Sequence, residues 1–218
     1  MPRVQILTES EAVAFDSPPE LSREDQQKCF HLTAQTKSIV ENIRIPVNQV
    51  GFVLQLGYMK HTNRFFNLRT FKKGDIAYVS KSLEIKVEEI NFNHYKTSTV
   101  DRHRQIILDT MGFLPFDEGA KDHLRKEIQY LISQQTRPKQ IILNLLESLH
   151  RRKIEIPGYN TFAKMITDEL NYFERNLLSI IKGHLTDQQM SMLDELLQPG
   201  PNELDVPSEQ SERYLRPR

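Results

Sequence analysis

The chain has 218 residues, room for one domain or two small ones, with 38% hydrophobic and 27% charged residues, no Trp and only 8 Gly. This is lean in apolar content without being disordered-like, and short of the turn glycines that a β-sandwich or barrel uses. Formal net charge is zero, from 29 basic and 29 acidic residues, so any strong field must come from an uneven distribution along the chain.

Helix signals dominate from the start. Thr8 and Glu11 have the spacing of a capping box ahead of a short first helix. Ser17-Pro18-Pro19 interrupts the chain. Ser22 is placed to cap a second helix with Asp25 in its first turn, and Thr33 a third over 34–42. Pro46 fits only the first turn of a new helix, expected over 46–60. Positions 50–59 of that helix carry no charge, yet they reach only half of the ~20 apolar residues a membrane span needs. The segment 61–73 reads as a basic loop, and 74–83 and 87–94 as two shorter helices.

Lys96-Thr97-Ser98-Thr99 reads as a boundary between subdomains, followed by a helix over 101–111 that Gly112 ends. Phe116-Asp117 opens the next, with Leu124, Ile128, Leu131 and Ile132 on one stripe, and Pro138 starts another, with Ile141, Ile142, Leu145, Leu146 and Leu149 at helical spacing. After the Pro157-Gly158 turn, Asn160 or Thr161 caps a long helix to about 182 with a stripe of Phe162, Ile166, Leu170, Phe173, Leu177 and Ile181. Thr186 and Gln189 resemble a capping box for a last helix to 197, and 198–218 is an acidic, Pro-rich linker or tail. The expected fold class is therefore all-α: two packed helical-bundle subdomains, 1–95 and 96–197, with helix-turn-helix-like elements.

MPRVQILTES has no apolar h-region, so no signal peptide is visible, and a single Cys29 excludes an internal disulfide framework and suits a reducing cytoplasm. Cys29 reads as a small apolar side chain rather than a nucleophile. Nucleotide-binding, metalloprotease and nucleophile-elbow motifs are missing, and the seven histidines stand apart, so no catalytic centre, metal site or cofactor is expected.

The charge is uneven. Residues 37–73 hold seven basic residues against one acid, and 121–153 eight against three, whereas 183–212 hold seven acids and no Lys or Arg. Two basic blocks on a helical chain suit a polyanion partner. Three segments are candidates for contact. In 34–60, a helix, a break and a second helix lead with Asn48 and Gln49, followed one and two turns later by Gln55 and Lys60; Asn and Gln are residue types that pair with adenine, while Arg44, Arg64 and Arg69 would lie near phosphates. The alternative is that this second helix is the buried centre of a bundle. In 97–113, Arg102, His103 and Arg104 crowd a first helical turn whose dipole they oppose, which an anion would offset; a pair with Asp101 or Asp109 is the alternative. In the second block, with Arg137 and Lys139 at a helix start, a helix ends in Arg151, Arg152 and Lys153, and the next begins with Tyr159, Asn160, Thr161 and Lys164. The rival to nucleic-acid binding is a helical protein-interaction or self-association module.

Several segments, in order, resemble the N-terminal region of Tn-3 family replicative transposases: Pro2-Arg3 with Ile6-Leu7-Thr8, HLTAQTKSIV at 31–40, NQVGFVLQLGYMK at 48–60, Tyr95 with Thr99, Arg102 and His103, GFLPF at 112–116, LHRRKIEIPG at 149–158, LTDQQMSMLDELL at 185–197 and SERYLRPR at 211–218. The resemblance implies sequence-specific binding of double-stranded DNA at transposon terminal inverted repeats, in the bacterial cytoplasm at the nucleoid. It implies no membrane partner, and a homodimer as the oligomer to look for in the full-length parent. Catalytic carboxylates and their metal belong to a separate domain of that family, and none is carried over. At Gln49-Val50 the chain departs from the family, which often shows a basic residue there.

Overall fold

The structure, a computed structural model, describes residues 5–184 and, beyond them, 186, 188–189, 191–192 and 195. Among these the architecture is all-α, with nine helices, three single 3-10 turns and one isolated bridge between Leu114 and Ile154.

Local chemistry sets most helix starts. For α1 (Glu9–Asp16), the Thr8 hydroxyl accepts from Glu11 N–H and the Glu11 carboxylate accepts from Thr8 N–H. Ser22 and Asp25 repeat that exchange at α2 (Arg23–Cys29), and Thr33 caps α3 (Ala34–Glu41). Pro46 occupies the first turn of α4 (Pro46–Thr62), and Asn63, at φ 57°, ends it in the left-handed region. Then come α5 (Lys73–Ser82) and α6 (Thr97–Met111), the latter closed by Gly112 at φ 66°. Asp117 caps α7 (Glu118–Ser133), Pro138 opens α8 (Pro138–Arg151), and α9 runs Tyr159–His184.

Helix α4 is the axis of the first core. All of Val50 to Met59 are buried, and around them pack Phe30, Val40, Phe66, Phe71 and Val79, with Ile107 and Leu108 of α6. Each fully buried Leu or Phe there contributes about 1.5–3 kcal/mol. Two glycines let neighbours touch this helix. A Cβ on Gly51 would lie 2.3 Å from the Tyr95 ring, and one on Gly57 2.2 Å from the Phe30 ring. Tyr58, a polar residue of the axis, is matched: its hydroxyl donates to Asp75 Oδ2 at 2.6 Å, and Gln26 donates to Asp75 Oδ1 at 2.7 Å. Cys29 is buried beside His61, with its thiol pushed up by burial, as befits an apolar filler rather than a nucleophile.

The second core joins α7, α8 and the first half of α9 through Leu124, Ile128, Ile141, Leu145, Leu149, Phe162 and Ile166, with Ile6 of the N-terminal segment. Phe173 and Leu177, expected to continue the α9 stripe, are 41% and 46% exposed, and the side chain of Ile181 lies outside the described residues. Thr186 and Gln189 exchange the reciprocal bonds of the expected capping box, while the end of the helix expected to reach 197 and the tail 198–218 lie outside the described residues.

Four expectations are corrected. The basic loop of 61–73 is shorter, because α4 continues to Thr62 and α5 already starts at Lys73, with a 3-10 turn at Leu68–Thr70 between them. The helix expected over 87–94 is two 3-10 turns, Val87–Glu89 and Phe92–His94. Helix α6 starts at Thr97, four residues early, after an extended Lys96 that supplies no side-chain cap. Its threonines and serine, read as a boundary, form the first turn.

The fourth correction is the cap of α9. Neither Asn160 nor Thr161 supplies it; Tyr159 N–H donates to Asp16 Oδ1 at 3.0 Å, from 143 residues away. The same oxygen accepts from Arg64 Nη2 at 2.8 Å. Arg64, 8% exposed, also donates to the carbonyls of Phe15 and Pro157 and lies 4.0 Å over the Phe15 ring. Asp16→Ala therefore removes a helix cap and strands a buried guanidinium. We expect a loss of about 2 kcal/mol in urea unfolding, below the ~3–5 typical of a buried pair because the Asp16 side chain is 41% exposed. A loss under about 0.5 kcal/mol would show that the guanidinium does not depend on it.

Candidate nucleic-acid interface

Because Leu124, Ile128 and Ile132 turn one face of α7 into the second core, Lys126 and Tyr130 face outward, and Tyr130 is 64% exposed. In α8, burial of Ile141, Ile142, Leu145 and Leu149 likewise leaves Arg151 outside, and Arg152 closes the helix. The carboxyl end of α8 attracts these cations through its unpaired carbonyls. Between the two helices lies an open cleft of about 560 Å³, lined by Lys126, Tyr130, Arg151 and Arg152 together with His123, Glu127 and Ser148. Its one carboxylate is occupied, since Glu127 accepts from Ser148 Oγ at 2.7 Å and lies 3.6 Å from His123 Nε2. Among the described residues, none of Lys126, Arg151 and Arg152 forms an ion pair. Three free cations around an exposed phenol are a constellation for phosphate oxygens.

A second cleft, of about 470 Å³, lies where α7 and α9 begin and holds Asn160, Thr161 and Lys164 beside Lys121 and Arg125. Its cations are paired: Lys121 with Glu118, Arg125 with Asp122, and Lys164 with Asp168 at 2.7 Å. Asn160 is exposed, whereas Tyr159 is half-buried and its hydroxyl accepts from Leu7 N–H at 3.1 Å.

The remaining candidates separate into groups. Arg69 and Arg104 line a third cleft, on the first core. Arg44, Arg102 and Arg137 are exposed singly, and Arg102 lies in the second turn of α6 rather than the first, so the crowding expected there does not arise. Lys139 is paired with Glu11 at 2.5 Å, and that hydrogen bond leads the interactions holding the Glu11 carboxyl at about 2. Lys60 donates to the His31 carbonyl at 2.7 Å, and Arg64 is buried in the junction above. Asn48, 7% exposed, faces the protein interior with its side-chain oxygen unpartnered, and Gln49 donates to the Val40 carbonyl. The alternative weighed for this helix, a buried centre, is the one observed. His123, Lys126 and Tyr130 were missed; the apolar stripe of α7 already implied that 126 and 130 point away from it.

None of the described helices is long and apolar enough to cross a membrane, and no group of three His, Cys, Asp or Glu among the described residues could hold a metal ion.

A family model described as a domain of unknown function, DUF4158, matches residues 6–168. The chain belongs to the DUF4158 family. It is 25% identical over 202 residues to the transposase for transposon Tn21 of Escherichia coli, and 24% identical over 202 residues to the transposase for transposon Tn3926 of the same organism. Each match covers 90% of this chain and 20% of the relative, so this DUF4158 chain spans a fifth of the length of the transposases it matches. The resemblance to the Tn-3 family holds.

Proposed function

We propose that this chain takes part in transposition as a duplex-DNA-binding portion of a transposase, gripping the terminal inverted repeats, with the chemical steps left to the rest of such a protein. One observation carries the reading: Lys126, Arg151 and Arg152, in no ion pair among the described residues, converge on one cleft beside Tyr130. They neutralise phosphates and set affinity. In this reading α8 and α9 act as a helix-turn-helix-like pair, and Asn160, Thr161 and Lys164 at the leading end of α9 reach base edges and set specificity. The kinship with the two transposases supports the partner.

The test is binding to inverted-repeat duplex and to a scrambled duplex over a range of salt. Removing two phosphate contacts in R151A/R152A should flatten the plot of log affinity against log salt by about 1.8, with helicity unchanged. Equal slopes for the variant and the parent chain would remove this cleft from the interface. Equal affinity for the two duplexes would remove the specificity.

A further inference from the structure

We infer that the cleft lined by Phe65, Phe92, Arg69 and Arg104 takes a single unstacked nucleotide. It has about 490 Å³, within the roughly 300–1,000 Å³ of small-ligand sites. The inference goes beyond duplex binding, and stands whether or not the α7–α8 cleft binds DNA.

Part of the lining is prepared for a flat ring. The Arg104 guanidinium is half-buried and fixed: Nε–H donates to Gln55 Oε1 at 3.1 Å, Nη2–H to the Phe66 carbonyl at 3.3 Å, and its carbon lies 5.2 Å from the Phe65 ring centroid. Those bonds leave Nη1 unused among the described residues. A guanidinium plane locked beside an aromatic ring is a stacking platform for a base, and one whose ordering cost is already met by folding. Phe92, also in the lining, is held edge-on to Phe71 at 5.4 Å.

The rim supplies polar recognition. Asn67 lends its side-chain oxygen to Arg69 N–H at 3.0 Å, and neither its amide N–H₂ nor the Asn93 side chain makes a hydrogen bond among the described residues. Primary amides at a pocket edge suit the edges of a base. Arg69 is exposed and in no ion pair among the described residues, placed to hold one phosphate. Asp101, an exposed carboxylate lining the same cleft, repels a second phosphate and accepts from a base N–H such as thymine N3–H. The ligand is thus one base with one phosphate, rather than a polyphosphate or an intact base pair, whose ring faces are covered by stacking.

The experiment uses the intact chain and fluorescence anisotropy with four probes: a labelled oligothymidylate, an abasic strand of equal length, a blunt duplex, and thymidine monophosphate as competitor. Phe65→Leu keeps an apolar side chain but removes the ring, and Arg69→Glu changes an exposed residue that folding does not need. Each should weaken oligothymidylate binding about tenfold, and the abasic strand should bind the parent chain as weakly. Competition by the monophosphate would assign the cleft to free nucleotides, and its absence, with strand binding retained, to an unpaired base in a strand. An abasic strand bound as tightly as oligothymidylate would overturn the inference. So would affinity within about twofold in Arg69→Glu, which is the deciding variant if Phe65→Leu loses helicity. Failure of R151A/R152A on duplex leaves the abasic comparison untouched, so the two readings fail separately.

Discussion

A Gly51→Ala chain loses about 3 kcal/mol of stability. The added methyl would meet Tyr95 Cε1 at 2.3 Å and Cδ1 at 2.7 Å. Overpacking of a core costs about 1–3 kcal/mol, and here the ring is anchored through its hydroxyl. Tyr95 is buried, accepts from Gln55 Nε2 at 3.0 Å and shares a 2.6 Å bond with His103 Nδ1. Moving it orphans two polar groups on the 0% exposed Gln55 and the 2% exposed His103, at about 1–3 kcal/mol each. Against this, alanine gains only about 1 kcal/mol of helix propensity over glycine. Gly74, in α5, is the control: a Cβ there meets nothing within 4 Å, so Gly74→Ala should gain up to about 1 kcal/mol. Urea unfolding followed by circular dichroism reads both. If the clash is the cause, G51A/Y95L is no less stable than Y95L alone. A Gly51→Ala midpoint equal to that of the parent chain would mean that α4 and Tyr95 are not in contact.

What could be read from the chain divides along the line between local and distant causes. Thr8, Ser22, Thr33, Asp117, Pro138 and Gly112 each act within four residues of themselves, and each does in the fold what its position suggests. The start of α6 was missed because Lys96 is not a capping residue, and the run of small polar residues Thr97-Ser98-Thr99 carries no apolar helical period. The start of α9 was missed because its acceptor, Asp16, lies at the far end of the chain. Burial of polar residues is distant in the same sense. Asn48 and Gln55 sit on a helix surrounded on all sides, so the amides that resembled base-reading groups face protein. Arg64 stood in a basic segment, and only the arrival of Phe15 and Asp16 shows why it is needed. At the candidate interface, Arg151 and Arg152 were legible as the charged end of a helix. Their partners Lys126 and Tyr130 come from another helix, and the packing of α7 on α8 brings them together.

Acid should unfold this chain through His103 before its carboxylates are exhausted. Four groups form a directed chain: Arg104 Nε–H donates to Gln55 Oε1, Gln55 Nε2–H donates to the Tyr95 oxygen, and the Tyr95 proton is then left for His103 Nδ1. That last bond requires a neutral imidazole. Burial, with Arg102 adding a like charge, pulls His103 from the ordinary 6.5 down to about 4. Since the folded value is the lower one, the unfolded chain binds the proton more readily, and stability rises with pH. The contribution is whole above pH 6.5 and is lost as pH falls from there to about 4. The slope in that window is about 1.4 kcal/mol per pH unit, and the total about 3 kcal/mol. Glu155 works the other way, because burial raises its carboxyl and lets the folded state take a proton early. The clean reading is therefore the difference between the parent chain and His103→Asn, whose amide oxygen takes the Nδ1 position without titrating. The two should differ least in acid and most at neutral pH. Parallel stability curves across the window would mean that His103 is solvated and that the chain from Arg104 ends at Tyr95.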